Sequence, residues 1–373
     1  MVPRRQQADM GTPAVTVLID TYNHERYIEE AILSVLEQDF PRAEMEILVV
    51  DDGSTDRTAE IVRRFAPDVR LIQKANGGQA SAFNAGIPEA KGDIVAFLDG
   101  DDWWAKEKLK VVANYLGARP HIGLVGHGIY EIDSDNANTK ATIPQRTQEV
   151  TFDSVENGRF FRQMMCFFGT SRVTVRRNIL ARVLPVPERI VIEADEFVSI
   201  MSAAYSAAGL IQEPLTFYRL HSGNLFQIRT KDEAKQRRIQ RALAALADEL
   251  RIRLASAGIA PDVTDAIVKP LDVGSKRLRL MLDGGKPWET FQTERDEFQI
   301  AYKKGSAGYR LFKGLVLACT LVMPPRNFYK LRDWYSHSDW RKVRGLLGEP
   351  VPNAEIGNVA VTKPLNSARK AAH

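Results

Sequence analysis

The chain has 373 residues, 44% of them hydrophobic and 26% charged, enough for a sizeable core and for two or three domains. Two distant cysteines, Cys166 and Cys319, exclude a disulfide framework and a Cys-based zinc site, and fit a reducing compartment. No apolar h-region accompanies Arg4 and Arg5, so no secretory signal is expected, and no stretch reaches the roughly 18–20 apolar residues of a spanning helix. The formal net charge of +4 is unevenly placed. Residues 301–346 hold ten Lys/Arg against two Asp/Glu, a local balance of +8, so the rest of the chain sums to −4. Such asymmetry points to an anionic surface as partner.

Residues 1–13 read as a polar, disordered arm. Val15–Ile19 is a short apolar strand, and Tyr27–Leu36 has apolar residues at helical spacing. A second strand, Ile47–Val50, runs into Asp51-Asp52-Gly53-Ser54-Thr55-Asp56, where Ser54 or Thr55 could cap the next helix. Val69–Ile72 is a third strand. Asn76-Gly77-Gly78 is a turn, and Gln79–Ala90 reads as helix. The fourth strand, Ile94–Leu98, precedes Asp99-Gly100-Asp101-Asp102, and Lys106–Leu116 is helical. Strands alternating with helices imply an α/β fold whose mostly parallel sheet is covered on both faces. Beyond it, Leu124–Ile132, Val173–Val175 and Ile211–Leu220 read as strands, Glu196–Ala208 and 231–257 as helices, and residues from 347 onward as a disordered tail.

Three strands end in acid, at Asp20, at Asp51 and Asp52, and at Asp99, Asp101 and Asp102. Open parallel sheets bind ligands beyond the carboxyl ends of their strands. Three carboxylates within four positions repel one another unless a cation sits among them, and hard ions such as Mg²⁺ or Mn²⁺ take oxygen ligands and bridge substrate phosphates. Asn76-Gly77-Gly78-Gln79 could offer backbone N–H groups to a phosphate, but it is neither a P-loop nor a dinucleotide fingerprint. Ala194-Asp195-Glu196 opens a helix, where a carboxylate would serve as cap or as base. Arg219 and His221 share a loop after a strand, a place for a phosphate or metal contact.

In this order the motifs resemble family 2 glycosyltransferases of the GT-A fold. The matching segments are Val17-Leu18-Ile19-Asp20-Thr21-Tyr22-Asn23, Val49 to Asp56, Asn76 to Gln79 with Asn84-Ala85-Gly86, Phe97 to Asp102, Ala194 to Glu196 and Tyr218 to His221. The resemblance spans about residues 15–230, within a GT-A domain expected at 14–230. It implies that Thr21 and Asp52 contact the nucleotide base. Asn23, Asp51, Asn76, Gly78, Gln79, Asn84, Asp99 and Arg219 complete the donor site. Asp101 or Asp102 is closest to the Mg²⁺ or Mn²⁺, His221 touches diphosphate or metal, and Asp195, with Glu196 as the alternative, is the catalytic base.

The reaction so implied is inverting transfer of one sugar from a nucleotide-diphosphate sugar, with UDP as nucleotide, to a hydroxyl on a saccharide or lipid-linked saccharide. Three departures are visible: most members have Pro at the Asp20 position, many have Arg at Phe83, and many have Glu-Asp where this chain has Ala194-Asp195. No Gln-x-x-Arg-Trp signature of processive synthases is present. A sugar-nucleotide nucleotidyltransferase is the alternative enzyme, but Thr21-Tyr22-Asn23-His24 stands where its basic Gly-rich loop would be. A non-catalytic sugar-nucleotide-binding scaffold is the third reading.

Residues 231–346 are expected as a helical extension. Its apolar run, Leu315–Met323, is flanked by Tyr309, Phe312, Trp334 and Trp340 and by Lys313, Arg326, Lys330, Arg341 and Lys342. It suits either a core helix or an interfacial one. The second reading puts 309–346 on the inner leaflet and the enzyme at the cytoplasmic face. No nucleic-acid-binding module is recognisable.

Overall fold

The computed structural model describes residues 14–133, 139–221, 232–302, 306–337 and 356–360. The arm at 1–13, the loop residues Ser222, Gly223 and Asn224, Trp340, Arg341 and Lys342, and most of the tail lie outside them. So does the side chain of Trp334.

The first half alternates as expected: β1 (Val15–Thr21), α1 (Ile28–Leu36), β2 (Met45–Asp51), α2 (Thr58–Arg63), β3 (Val69–Gln73), α3 (Gln79–Gly86) and β4 (Ile94–Asp99). The second half is more broken: β5 (Trp103–Trp104), α4 (Lys108–Gly117), β6 (Ile122–Asp133), β7 (Thr139–Pro144), β8 (Gln148–Val150), α5 (Val155–Gln163), β9 (Thr174–Arg176), α6 (Arg177–Val183), α7 (Ala194–Tyr205) and β10 (Ala207–Leu220). Five helices follow, α8 (Glu233–Ser256), α9 (Pro261–Asp283), α10 (Pro287–Glu297), α11 (Ala307–Cys319) and α12 (Pro325–His337), and then β11 (Ile356–Ala360).

Strands β3-β2-β1-β4 are parallel, while β9 is antiparallel to both β4 and β6 and so joins the two halves of one mixed sheet. The inner strands are continuous apolar runs because helices cover both faces. Val17, Ile19, Val49 and Leu98 are fully buried. The strand order reverses direction at β1, which makes its carboxyl end the switch point of the sheet. Register then decides what gathers there: Thr21 pairs with Asp51, and Asp20 pairs with Asp99.

Several boundaries differ from the sequence reading. Ser54 and Thr55 do not cap α2, which starts at Thr58. The Ser54 hydroxyl accepts from Asn23 N (2.9 Å), and Thr55 N donates to Asn23 Oδ1 (2.8 Å), stitching the loops after β1 and β2. Helix α3 stops at Gly86 and passes into a short 3₁₀ turn, because Pro88 has no N–H to continue the ladder. Ala207 and Ala208 belong to β10 rather than to the preceding helix, and Pro214 marks a register shift where β10 runs beside β6. The tail is corrected at 356–360, where β11 lies antiparallel to β7. Phe83 is buried against Phe97 with ring centroids 5.1 Å apart. It is part of the packing beneath the acidic strand end.

The chain divides into two compact units, Met1–Leu225 with Arg253–Val263 and Glu355–His373, and Phe226–Ile252 with Thr264–Ala354. In the second unit, Leu280, Phe328 and Tyr329 form an apolar cluster. Glu294 accepts from the Arg332 guanidinium (2.7 Å) and the Tyr329 hydroxyl (3.1 Å), tying α10 to α12. No described helix is long and apolar enough to cross a membrane.

Candidate active site

One oxygen from each of Asp99, Asp101 and Asp102 lies within 4.8 Å of the others at the end of β4. The three carboxylates differ in their surroundings. Asp102 is buried and accepts from the Ser171 hydroxyl (2.6 Å) and from Arg219 N (2.9 Å). Asp101 Oδ2 meets His221 Nε2 at 3.0 Å and His24 Nε2 at 3.8 Å. Asp99 N donates to Ser171 Oγ (3.1 Å), whose hydroxyl also reaches Asp99 Oδ2 at 3.3 Å.

The charges follow from this arrangement. Burial, then repulsion from Asp101, pushes Asp102 up to about 7. Burial and the neighbouring carboxylates, Asp20 first, hold Asp99 well above the ordinary range. Burial also works to raise Asp101, but the His221 hydrogen bond and the two imidazoles outweigh it and leave the carboxyl below its usual value. Asp20, opposite Asp99, is pushed up to about 8 by burial and by Asp195 and Asp101, and its Oδ1 is buried with no hydrogen-bond partner among the described residues. A cluster of one buried and two half-buried carboxylates with an orphaned acceptor beside it fits a hard divalent cation.

The candidate base lies across a short turn from this cluster. Asp195 Oδ2 accepts from Thr170 N (3.0 Å) and the Thr170 hydroxyl (3.2 Å), and Asp195 Oδ1 accepts from Glu196 N (2.9 Å). Its charge raises the pKa values of both Asp20 and Asp99. Glu196, one helical step on, instead forms an ion pair with Arg162. Glu193, which precedes α7, takes a left-handed φ of 67°, a strained conformation for a non-glycine residue.

The remaining sequence candidates fall into two groups. Asp51 and Asp52 brace the site. Asp51 accepts from Ser54 N (2.9 Å) and Gln73 Nε2 (3.2 Å), while Asp52 accepts from Gly77 N (3.0 Å), Gly78 N (2.7 Å) and Lys74 Nζ (2.7 Å). Asp52 therefore holds the glycine turn beside Asn76. Gly78 sits at φ +83°, and a Cβ there would come within 2.9 Å of Val191 O. Gln79 bridges Thr170 Oγ1 and Ala194 N, both at 3.0 Å, so it joins the turn to α7. Thr21 is buried and contacts His24 Nδ1 at 3.2 Å.

Asn84 and Arg219 serve as braces. The Asn84 amide exchanges two hydrogen bonds with the Val186 backbone, both at 2.8 Å. The Arg219 guanidinium donates from Nε to the Asp101 carbonyl (3.0 Å), pairs with Glu30 (2.6 Å) and lies over the rings of Tyr27 and Trp103, so it braces the acidic loop from behind.

Thr170 and Ser171 were not found from sequence. They are small hydroxyl residues in an aromatic stretch, with no spacing rule to mark them. Yet this one turn holds Asp195 on one side and Asp99 and Asp102 on the other. The Ser171 carbonyl is itself held by three donors, Thr216 Oγ1 (2.6 Å), Trp104 Nε1 (2.9 Å) and the buried Lys108 Nζ (2.9 Å). Burial depresses the Lys108 pKa strongly.

The raised carboxylates make a prediction for the metal-free protein. Asp20, Asp99 and Asp102 bind protons more tightly folded than unfolded, so their contribution to stability is lost as pH rises from about 4 to about 8. Half-buried His24 and buried His127, with lowered pKa values, act in the opposite sense below about 6.5. The metal-induced rise in Tm is the readout that separates the two. It is expected to be larger at about pH 8 than at about pH 6, because ligand carboxylates must be ionised to bind. Equal Mn²⁺-induced shifts at both values would contradict a metal site built on these carboxylates.

A switch-point sheet edge lined with carboxylates beside a glycine turn defines an open α/β sheet with its ligand-binding edge at β1 and β4. The model of glycosyl transferase family 2 matches residues 16–183, so this part of the chain is a family 2 glycosyltransferase domain. An uncharacterized glycosyltransferase of Nostoc sp. is 34% identical over 220 residues, covering 56% of this chain and 66% of that protein. The poly(ribitol-phosphate) beta-N-acetylglucosaminyltransferase TarS of Staphylococcus aureus is 39% identical over 105 residues, 27% of this chain but 18% of TarS. The chain thus spans under two thirds of these relatives' lengths. The crystal structure of TarS residues 1–349 with UDP-GlcNAc superposes with a TM-score of 0.55 at 22% identity. It covers 77% of this chain and 80% of that one, a likeness of fold.

Proposed function

We propose that this protein transfers a single sugar from a nucleotide-diphosphate sugar, a UDP-sugar, to a hydroxyl of a saccharide or lipid-linked saccharide, with inversion at the anomeric carbon. The observation that carries the reading is the Thr170–Ser171 turn. It fastens a carboxylate suited to a base on one side and a cation-binding cluster on the other, at the carboxyl edge of the sheet. UDP-GlcNAc bound to the similarly folded TarS structure supports the choice of nucleotide.

In this reading Asp99, Asp101 and Asp102 would hold Mg²⁺ or Mn²⁺, with His221 fixing Asp101. When bound, the ion supplies positive charge against the diphosphate that departs. Asp195 takes the proton of the acceptor hydroxyl as that oxygen bonds to the anomeric carbon. The bond from that carbon to the diphosphate oxygen breaks, and the nucleoside diphosphate leaves with the electron pair. Thr170 and the N–H of Glu196 hold the Asp195 carboxyl in place through three hydrogen bonds. Glu196 is engaged by Arg162, which favours Asp195 for this role. Asp52 shapes the Asn76–Gly78 turn against which the donor would lie.

A thermal-shift screen of UDP-, GDP- and dTDP-sugars with and without Mn²⁺ tests the proposal. A UDP-sugar is expected to raise Tm, and more so with Mn²⁺. No stabilisation by any nucleotide sugar would overturn it, and a larger response to GDP- or dTDP-sugars would overturn the nucleotide.

A further inference from the structure

Helix α11 packs by one face only. Tyr309 and Thr320 are buried, and Val316 packs against the cluster of Leu280, Phe328 and Tyr329. A helix with one packed face ordinarily turns polar residues to solvent on the other. Here the outward positions are apolar too. Leu311 and Leu315, one helical turn apart, are 70% and 63% exposed, and beyond the helix end Leu321 and Val322 are 45% and 83% exposed. Gly314, Ala318 and Cys319 complete an exposed strip without charge. The run expected at Leu315–Met323 is therefore divided: the helix starts earlier, at Ala307, and ends at Cys319, ahead of Pro324-Pro325.

The charge around this strip has one sign. No Asp or Glu occurs from Phe298 to Arg332, a stretch that includes Arg310, Lys313, Arg326 and Lys330. Arg310, Arg326 and Lys330 are exposed. Arg326 donates to the Leu282 carbonyl (2.7 Å), which anchors the side chain and leaves its charge intact. A second copy of the chain would bring one cationic rim against another. Nucleic acid would meet an apolar centre it cannot use. An anionic bilayer matches both parts, acyl chains for the leucines and headgroups for the cations.

We infer that the outer face of α11 and the turn after it, from Leu311 to Val322, rest on an anionic lipid surface and hold the enzyme there peripherally. The inference is independent of the sugar-transfer reading, since its test needs no substrate. The full-length protein is sedimented with vesicles of phosphatidylcholine alone or mixed with phosphatidylglycerol. Binding is expected to the mixed vesicles, weakening as salt is raised. The triple variant Leu311→Gln, Leu315→Gln, Val322→Gln changes only exposed positions, so its circular dichroism and Tm should match wild type. Its vesicle binding should fall by more than about tenfold. A second variant, Arg310→Gln with Lys330→Gln, keeps the apolar strip and should lose the preference for anionic vesicles. Wild-type protein that ignores anionic vesicles, or a triple variant that binds as well as wild type, overturns the inference. So does a wild-type dimer that the triple variant converts to monomer without any vesicle binding.

Discussion

Asp195→Asn is expected to lower kcat for sugar transfer by about 10²–10⁴-fold, the usual worth of a positioned general base. The side chain keeps its size and can still accept from Thr170, so the turn should hold. Donor affinity, read as the Tm increment with UDP-sugar and Mn²⁺, should change little. Glu196→Gln is the control. Glu196 is spent on Arg162, and the variant should change kcat by less than about tenfold while lowering Tm, since it leaves that guanidinium without its charge partner. An Asp195→Asn enzyme with wild-type kcat would remove Asp195 from the mechanism. Loss of activity in the Glu196 variant at unchanged Tm would move the base by one residue.

Asp101→Asn is expected to abolish the Mn²⁺ dependence of activity and to lower kcat/KM by roughly 10²–10⁴-fold, the equivalent of several kcal/mol of charge stabilisation. Of the three carboxylates, Asp101 is the one whose partners outweigh burial and hold its pKa below the ordinary value. Ser171→Ala gives the graded companion. It deletes the hydroxyl that bridges Asp99 and Asp102 but leaves the carbonyl held by Lys108, Trp104 and Thr216. Outer-shell partners of this kind are worth about 10–100-fold in metal affinity or activity. A Mn²⁺ titration of activity checks both variants. Wild-type Mn²⁺ response in Asp101→Asn would place the metal elsewhere.

How far the site could be read in advance differs residue by residue. Asp99, Asp101 and Asp102 stood out because an apolar strand running into three acids has few purely structural uses. Asp195 was narrowed only to a pair with Glu196, since neighbouring residues at a helix start look alike in sequence. About 100° of helical rotation separates them, turning one toward Thr170 and the other toward Arg162. Asn84 and Arg219 were legible as polar residues inside matching motifs, but the Asn84 amide is taken up by Val186, and Arg219 divides its bonds between Glu30 and the Asp101–Asp102 segment, all partners over a hundred positions away in the chain. Asp52 reads on its own as a turn acid and only through the family resemblance as a base contact, and the folded chain engages it with two glycine N–H groups and Lys74.

Local patterning thus determined the alternation of strands and helices, the acidic strand ends and the strongly basic character of the 301–346 segment. Each of these depends on neighbours within a few residues. The tertiary structure alone decided that β1 lies between β2 and β4, so that Asp20 meets Asp99. It alone brought the 170–171 turn between two carboxylate groups and left the outer face of α11 uncovered. Those outcomes depend on crossovers, register and long-range packing, where contact partners are set by geometry rather than by spacing along the chain.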